Sequence, residues 1–199
     1  MNNDMRINIP NSFQKLESLP TDPDNSISYG KQTQFSNCFV IVHPITNEEA
    51  MPFDDATAVI NGIHEAVSET QGLIEVKTGV TKNQKKYIYS IVKSMMEPSG
   101  MEYILTMHIA MENGCMNIQS VFDEIGITGM RDTAIMNKMI SEGKVDPSNV
   151  DSWFKDPYDE NFKKGIAMNL SESDEYDANF PQHPLSETRS LVKYIIENN

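Results

Sequence analysis

In the stretch "NGIHEAVSE", His64 and Glu65 are adjacent and Glu69 lies one helical turn beyond Glu65, the nearest thing in this chain to a general-base pair. Imidazole titrates close to neutral pH and takes up a proton well when a carboxylate orients it, so this is the first place to look for acid–base chemistry. His108, in "LTMHIAM", is the second. His43 and His183 complete the set of four, and no two of them stand at metal-ligand spacing. The chain has no HExxH, no paired-cysteine motif, no GxSxG elbow, no phosphate loop and no dinucleotide fingerprint. A lone histidine bordering an apolar stripe ordinarily hydrogen-bonds locally, and one in mid-strand ordinarily sits satisfied in a core or interface. Without a convergent partner neither is given a catalytic role, and the expectation is no catalytic, cofactor-binding or metal residue, and no cofactor. The enzyme alternative is a hydrolase or small-ligand enzyme using His64 or His108 with a nearby carboxylate. It requires a concave pocket that holds one of these histidines beside an acid.

Charged clusters offer weaker chemistry. "GITGMR" (126–131) sets two glycines before a helix, and Arg131 there can pair a phosphate or carboxylate, although any helix start needs similar geometry. "DPYDEN" (156–161) supplies Asp156, Asp159 and Glu160, and "SESDEYD" (171–177) supplies four more acids. Neither has the alternate spacing and sixth-position glycine of a calcium loop. "DANFPQHPLSETR" (177–189) reads as the entry to a last helix: Pro184 holds His183 extended, Ser186 is placed to cap, and Phe180 and Leu185 pin the preceding loop. Its PxxP is read as a structural clamp rather than a binding epitope.

The whole chain carries 29 acidic and 16 basic residues, a formal charge of −13 over 199 residues. Nucleic-acid partners need clustered Lys and Arg, and an anionic membrane surface needs the same, so both are set aside. The one basic cluster, "KNQKK" (82–86), falls at an expected hairpin tip and reads as turn chemistry. Net charge of this size serves solubility, or attraction to a basic partner. Cys38 and Cys115 lie in expected strands as small apolar residues, and nothing demands an oxidising compartment. "MNNDMRINIP" has no apolar run for a signal peptide, and no stretch approaches a membrane span, so the expected address is the cytoplasm.

Several elements must position these residues. Met5, Ile7 and Ile9 alternate with Arg6 and Asn8, as in a short edge strand closed by Pro10, and residues 11–32 read as a loop. "TQFSNCFVIVHPI" is a strand apolar on both faces. "PFDDATAVINGIHEAVSETQG" is a helix capped by Asp54 or Asp55, with Val59, Ile60, Ile63, Ala66 and Val67 inward and Gly72 as its stop. Four β-type runs, "LIEVKTGVT", "KYIYSIVKSMM", "EYILTMHIAME" and "CMNIQSVFDEIG", follow with hairpin connections "KNQK", "EPSG" and "NG". In the third, Tyr103, Leu105, Met107 and Ile109 share one face and Ile104, Thr106, His108 and Ala110 the other. "TGMRDTAIMNKMISEGK" is a helix with Ile135, Met136, Met139 and Ile140 inward, and "SETRSLVKYIIEN" closes the chain as another.

Between them, residues 142–177 hold ten acidic and four basic residues, yet Trp153, Phe154, Tyr158, Phe162 and Tyr176 punctuate the stretch, with Phe180 just beyond. Disordered acidic tails are poor in aromatics, so this is an ordered extension anchored to the domain. The fold class is α+β, an α/β/α sandwich around a mainly antiparallel sheet with a four-strand meander. Residues 1–145 form the sandwich core, 146–183 the acidic extension, and 184–199 a C-terminal helix packed on the same domain. Of the thirteen methionines, six (Met95, Met96, Met101, Met107, Met111 and Met116) fall in the meander, as core filling or, where exposed, an adaptable binding face.

"INIPNSF" at the start, "ETQG" after the first helix, and "IEVKTGVT…YIYSIV…YILTMHI" in the meander resemble the PsbP-like α/β/α sandwich, which includes the Mog-type Ran-binding proteins and small bacterial lipoproteins. The lipoprotein cysteine and signal of the bacterial members are absent here. The tail "NLSESDEYDANFPQHPLSETRSLVKYI" is similar to an ending found in uncharacterised Gram-positive bacterial proteins. The fold resemblance implies a non-enzymatic binding or accessory protein. The expected function is therefore a protein-binding accessory module, its partner another protein, with Trp153, Phe154, Tyr158, Tyr176, Phe180 and His183 as contact residues. A third reading is an acidic inhibitor or immunity-type protein that binds a basic partner.

Overall fold

A computed structural model of the protein describes residues 6–199. Seven antiparallel strands form one sheet in the order β1-β2-β3-β7-β6-β5-β4. They are β1 (Gln14–Lys15), β2 (Ile27–Gln32), β3 (Ser36–Ile45), β4 (Gln71–Val80), β5 (Lys86–Met95), β6 (Met101–Met111) and β7 (Gly114–Glu124). Three helices accompany them: α1 (Ala56–Ala66), α2 (Met130–Ser141) and α3 (Pro184–Asn198). The fold is α+β, with α3 on one face of the sheet and α1 on the other.

Period-2 patterning produces both faces. Tyr103, Leu105, Met107 and Ile109 of β6 are all buried, beside Val40 and Val42 of β3 and Ile118 and Phe122 of β7, and Leu185, Leu191, Val192 and Ile195 of α3 close this core. Each such side chain contributes roughly 1.5–3 kcal/mol on burial. On the opposite face Val59 of α1 packs on Leu73, Val76 and Ile88. Because α1 sits over β4, Phe39 and its cross-strand neighbours Val121 and Ile104 remain partly open.

The third cluster belongs to the extension. Ile135 and Met139 of α2 pack on Val145, Trp153 and Tyr176, with Met136, Ile140, Leu170 and Phe180 around them. The stripe of α2 thus buries against the extension, which carries three 3₁₀ turns at Val150–Trp153, Leu170–Glu172 and Asp174–Asn179. Asn169 and Glu172 form a capping box in "NLSE": Glu172 Oε2 accepts from the Asn169 amide at 2.7 Å and Asn169 Oδ1 accepts from the Ser171 amide at 2.9 Å.

Four sequence expectations require correction. Of the edge strand expected at Met5–Ile9, Met5 lies outside the described residues, and residues 6–10 have no strand pairing. That segment instead clasps the other terminus, the Asn8 amide donating to Asn199 Oδ1 at 2.6 Å and Asn8 Nδ2 to the Asn198 carbonyl at 2.8 Å. Residues 11–32 contain β1 and β2, not only loop, because Ile27 and Tyr29 alternate inward against Val42 and Val40. Asp55 caps α1 through the Ala58 amide as expected, but the helix ends at Ala66 and Gly72 lies inside β4. A Cβ there collides with the Ile166 carbonyl oxygen, so glycine admits the extension rather than stopping a helix. Ser186 is not the cap of α3: His183 Nδ1 accepts from the Leu185 amide at 3.2 Å, with Pro184 in the first turn.

The "KNQKK" tip is a hairpin connection, and its backbone also finishes α3. The amides of Lys82 and Asn83 donate to the carbonyls of Ile196 and Asn199 at 2.8 and 3.1 Å, partners that a helix C-terminus otherwise lacks.

Candidate functional site

The two histidines with possible chemistry have different fates. His64 Nε2 lies 3.1 Å from Asp156 Oδ2, and the other Asp156 oxygen accepts from the Tyr158 and Asp159 amides at 2.9 Å each. The Phe162 ring stacks on the imidazole at 3.9 Å between centroids. Asp156 lines an open cleft of about 620 Å³ whose walls include Phe154, Lys155, Glu160 and Lys163, but His64 is not among them. The pair therefore latches the extension onto the last turn of α1, under an aromatic cover. His108 is buried, its Nδ1 accepting from the Met51 amide at 2.8 Å. Among the described residues no carboxylate is within hydrogen-bonding reach of it. Burial holds its pKa down at about 4.

Two of the four acids of "SESDEYD", Glu172 and Asp177, are paired internally, whereas Asp174 and Glu175 are exposed. Arg131 is almost wholly buried. Its Nε donates to the Ser171 carbonyl at 2.7 Å, one terminal nitrogen to Asp177 Oδ1 (2.9 Å) and Ser186 Oγ (2.8 Å), and the other to the Ser173 carbonyl (2.9 Å). Four of the five N–H donors of the guanidinium are thus taken by the protein itself, and the side chain is buried, so it serves as an internal tie rather than a surface anion site. Arg189 joins the same carboxylate at 3.2 Å and reaches Glu75 Oε2 at 3.2 Å. Glu172 pairs with Lys93 at 2.7 Å with both side chains out of water, and Tyr103 donates to it at 3.1 Å. The helix start in "GITGMR" is likewise taken: Glu124 Oε1 accepts from the Gly129 amide at 2.8 Å.

The six expected contact residues separate into three groups. Trp153 and Tyr176 are buried in the α2–extension cluster and offer no surface. Phe154 is exposed beside the lysine-bearing cleft, while the Tyr158 hydroxyl accepts from the Val76 amide (2.6 Å) and donates to its carbonyl (3.2 Å), closing the free edge of β4. Phe180 and His183 alone share a cavity. It is a groove of about 380 Å³, walled by Phe35, Ile127, Met130, Phe180, Pro181 and Pro184, with Glu124 and His183 also lining it. Ile127 is 68% exposed and Met130 40%, so its rim is open to partners.

Sequence reasoning missed Phe35, Glu124, Ile127 and Met130. The available signal is two apolar residues, Ile127 and Met130, interleaved with glycines in the loop before α2. The meander methionines are mostly filler: Met107 and Met116 are buried, Met96, Met101 and Met111 are half-buried, and of the six only Met95 is exposed.

His183 is held neutral. Burial, then Arg131 and Arg189, bring its pKa down to about 3, whereas burial raises that of Glu124. An unfolded histidine protonates near pH 6.5, so below that pH the unfolded chain binds a proton the native one refuses. The stability tied to a neutral His183 is thus whole above pH 6.5 and falls as pH drops toward 3, by at most about 1.4 kcal/mol per pH unit. Glu124 acts with opposite sign, so the informative quantity is a difference. The melting temperatures of wild type and His183→Asn should converge as pH falls from 6.5 to 4; parallel curves would refute the assignment.

No protein-family model and no curated protein sequence matches the chain. Among solved structures it is similar to the Saccharomyces cerevisiae Ran-binding protein Mog1p, with 12% identity and a TM-score of 0.40 over 65% of this chain and 76% of that one. It is also similar to PA94, a protein of unknown function from Pseudomonas aeruginosa, with 8% identity and a TM-score of 0.39 over 66% of this chain and 94% of that one. The likeness of the tail to bacterial proteins gains nothing from these comparisons. Among the described residues no helix is long and apolar enough to cross a membrane.

Proposed function

We propose that the protein is a non-enzymatic accessory module that binds another protein in the cytoplasm, and that the partner docks in the groove between Phe35, the Ile127–Met130 loop and the Phe180–Pro184 segment. The observation that carries this reading is the groove itself: an open apolar cavity with Ile127 and Met130 at its rim, on a chain whose net charge is −13. Large exposed apolar groups gathered around a concavity mark interaction sites. The partner that fits is a protein inserting one apolar or aromatic side chain, with basic residues around it to match the acidic surface. Nucleic acid and membrane surfaces are poor matches to that charge. In this reading residues 1–145 are the scaffold, the extension at 146–183 supplies Phe180 and His183 to the groove, and 184–199 fix that segment to the sheet.

Ile127→Glu tests it. Position 127 is exposed, so the melting temperature should stay within about 2 °C of wild type, consistent with the small effect of surface substitutions. Capture of the partner seen with wild type should fall at least about tenfold, as for an interface anchor worth more than 1 kcal/mol. Undiminished capture by the folded variant would contradict docking at the groove.

A further inference from the structure

Among the described residues, one half of a sheet face is left without a covering element. Alternation along β3, β7 and β6 sends Val40, Phe122 and Tyr103 toward α3, so Phe39, Val121 and Ile104 face the opposite way. α1 lies on that opposite face but over β4. Phe39 pairs with Val121 and Val121 with Ile104, which sets the three in one line across β3, β7 and β6. On β2 the line continues at Gly30, whose missing side chain makes room for Leu16: a Cβ there would lie 3.3 Å from both Leu16 methyls. Leu16 and Phe39 are each 39% exposed, and Phe39, Val121 and Ile104 line a cavity of about 240 Å³.

Charge stands beside this line rather than within it. Two residues along the same strands, about 7 Å away, Glu102 and Asp123 are direct cross-strand partners. Like charges in that position repel, and among the described residues neither carboxylate takes part in a salt bridge. Partial burial, then the charge of Asp123, raises the pKa of Glu102. A cation placed over the pair would be attracted by both acids. The spacing of the apolar line selects the shape of its occupant. Adjacent strands are about 4.8 Å apart, so the line offers apolar groups at roughly that interval over about 14 Å. An α-helix laid along it presents residues i, i+3 or i+4 and i+7 at about 4.5–6 Å steps and covers the distance in about ten residues. A strand presents same-face side chains every 6.5–7 Å or so, out of step with the line. A second copy would bring another −13 charge to the same face, which opposes self-association.

We propose that this face docks one amphipathic helix of a partner protein, its apolar stripe on Leu16, Phe39, Val121 and Ile104 and an arginine or lysine on its flank over the Glu102–Asp123 pair. The helix completes, beside α1, the layer that this half of the sheet lacks. The site is separate from the groove and does not rest on it.

The test titrates the full chain with a synthetic probe, an alanine-based helical peptide of about 16 residues with leucines at i, i+3 and i+7 and two arginines on one flank. The probe should shift the amide resonances of Phe39, Val121 and Ile104. Phe39→Glu should weaken it at least about tenfold, as for an interface anchor. Glu102→Gln with Asp123→Asn relieves a repulsion and keeps the fold, so it decides even where Phe39→Glu does not fold. That double variant should weaken the probe at least about threefold, and should leave unchanged a probe whose arginines are replaced by glutamine. One central proline, which breaks the helix, should cost at least about tenfold. No probe-dependent shift at these residues, an affinity that ignores the double variant, or equal binding of the proline peptide overturns the proposal. So does a loss of binding in Ile127→Glu, which would put the probe in the groove. Sedimentation of the protein alone as a dimer that Phe39→Glu splits would make a second copy the occupant, and likewise overturns it.

Discussion

Lys93→Met should destabilise the protein by about 3–5 kcal/mol, the cost of stranding a buried carboxylate. Lys93 Nζ and Glu172 Oε2 are 2.7 Å apart with side-chain exposures of 2% and 1%. Glu172 also accepts from the Tyr103 hydroxyl and from the Asn169 amide at 2.7 Å, so its charge is locked in place by β6 and by its own turn. Methionine fills the lysine's volume without its charge, leaving the anion with two neutral donors and no counter-ion. The extension then loses its main tie to the sheet. Replacing both partners, Lys93→Met with Glu172→Gln, removes the stranded charge while an amide oxygen still accepts from Tyr103, and should recover at least half of the loss. Urea denaturation of the three proteins measures this. A single variant within 1 kcal/mol of wild type, or a double variant worse than the single, contradicts the account.

Gly72→Ala is expected to detach the extension from the edge of β4. The new methyl meets the Ile166 carbonyl, and the adjoining Gly165, at φ +73°, has no room for a Cβ beside the Gln71 carbonyl either, so the two backbones are already in close approach. The Ile166 amide donates to the Gln71 carbonyl at 2.9 Å, and that bond must stretch or break. Overpacking of this kind costs about 1–3 kcal/mol. Most of it should be felt locally, because the meander does not need the extension in order to pair. Hydrogen exchange should quicken at Tyr158–Ile166 with β6 and β7 still protected, and trypsin should cut at Lys163 and Lys164 first. Unchanged exchange at the Ile166 amide would show that the edge tolerates a side chain there.

The elements that could be read from the sequence are those whose pattern is local. The four meander strands alternate over ten or eleven residues each with turn residues between, and α1 announces itself by Asp55 and an apolar stripe. β2 was illegible because only Ile27 and Tyr29 alternate inward, among Ser28, Gly30 and Lys31, and Lys31 earns its place from Glu187 at 2.7 Å, 156 residues away. Long-range pairing hid the rest. Lys93 in "SIVKSMM" has the look of a solvated lysine until Glu172 is brought over it, and Asp156 comes to His64 across 92 residues. At the groove, Phe180 and His183 were visible as a proline-flanked aromatic and imidazole. Glu124 was not, since a glutamate at a strand end reads as a solvated charge, and only the fold turns it beneath His183.

The groove's role as the docking site is tested most directly by site-specific photo-crosslinking in cells of the source organism. A benzophenone amino acid is placed at position 127, on the groove rim, and in a second protein at position 80, an exposed valine at the far end of β4. The account predicts one discrete adduct from position 127, absent from position 80 and suppressed when Phe180→Ala is added to a protein that still folds. The same adduct from both positions, or none from position 127, would contradict it.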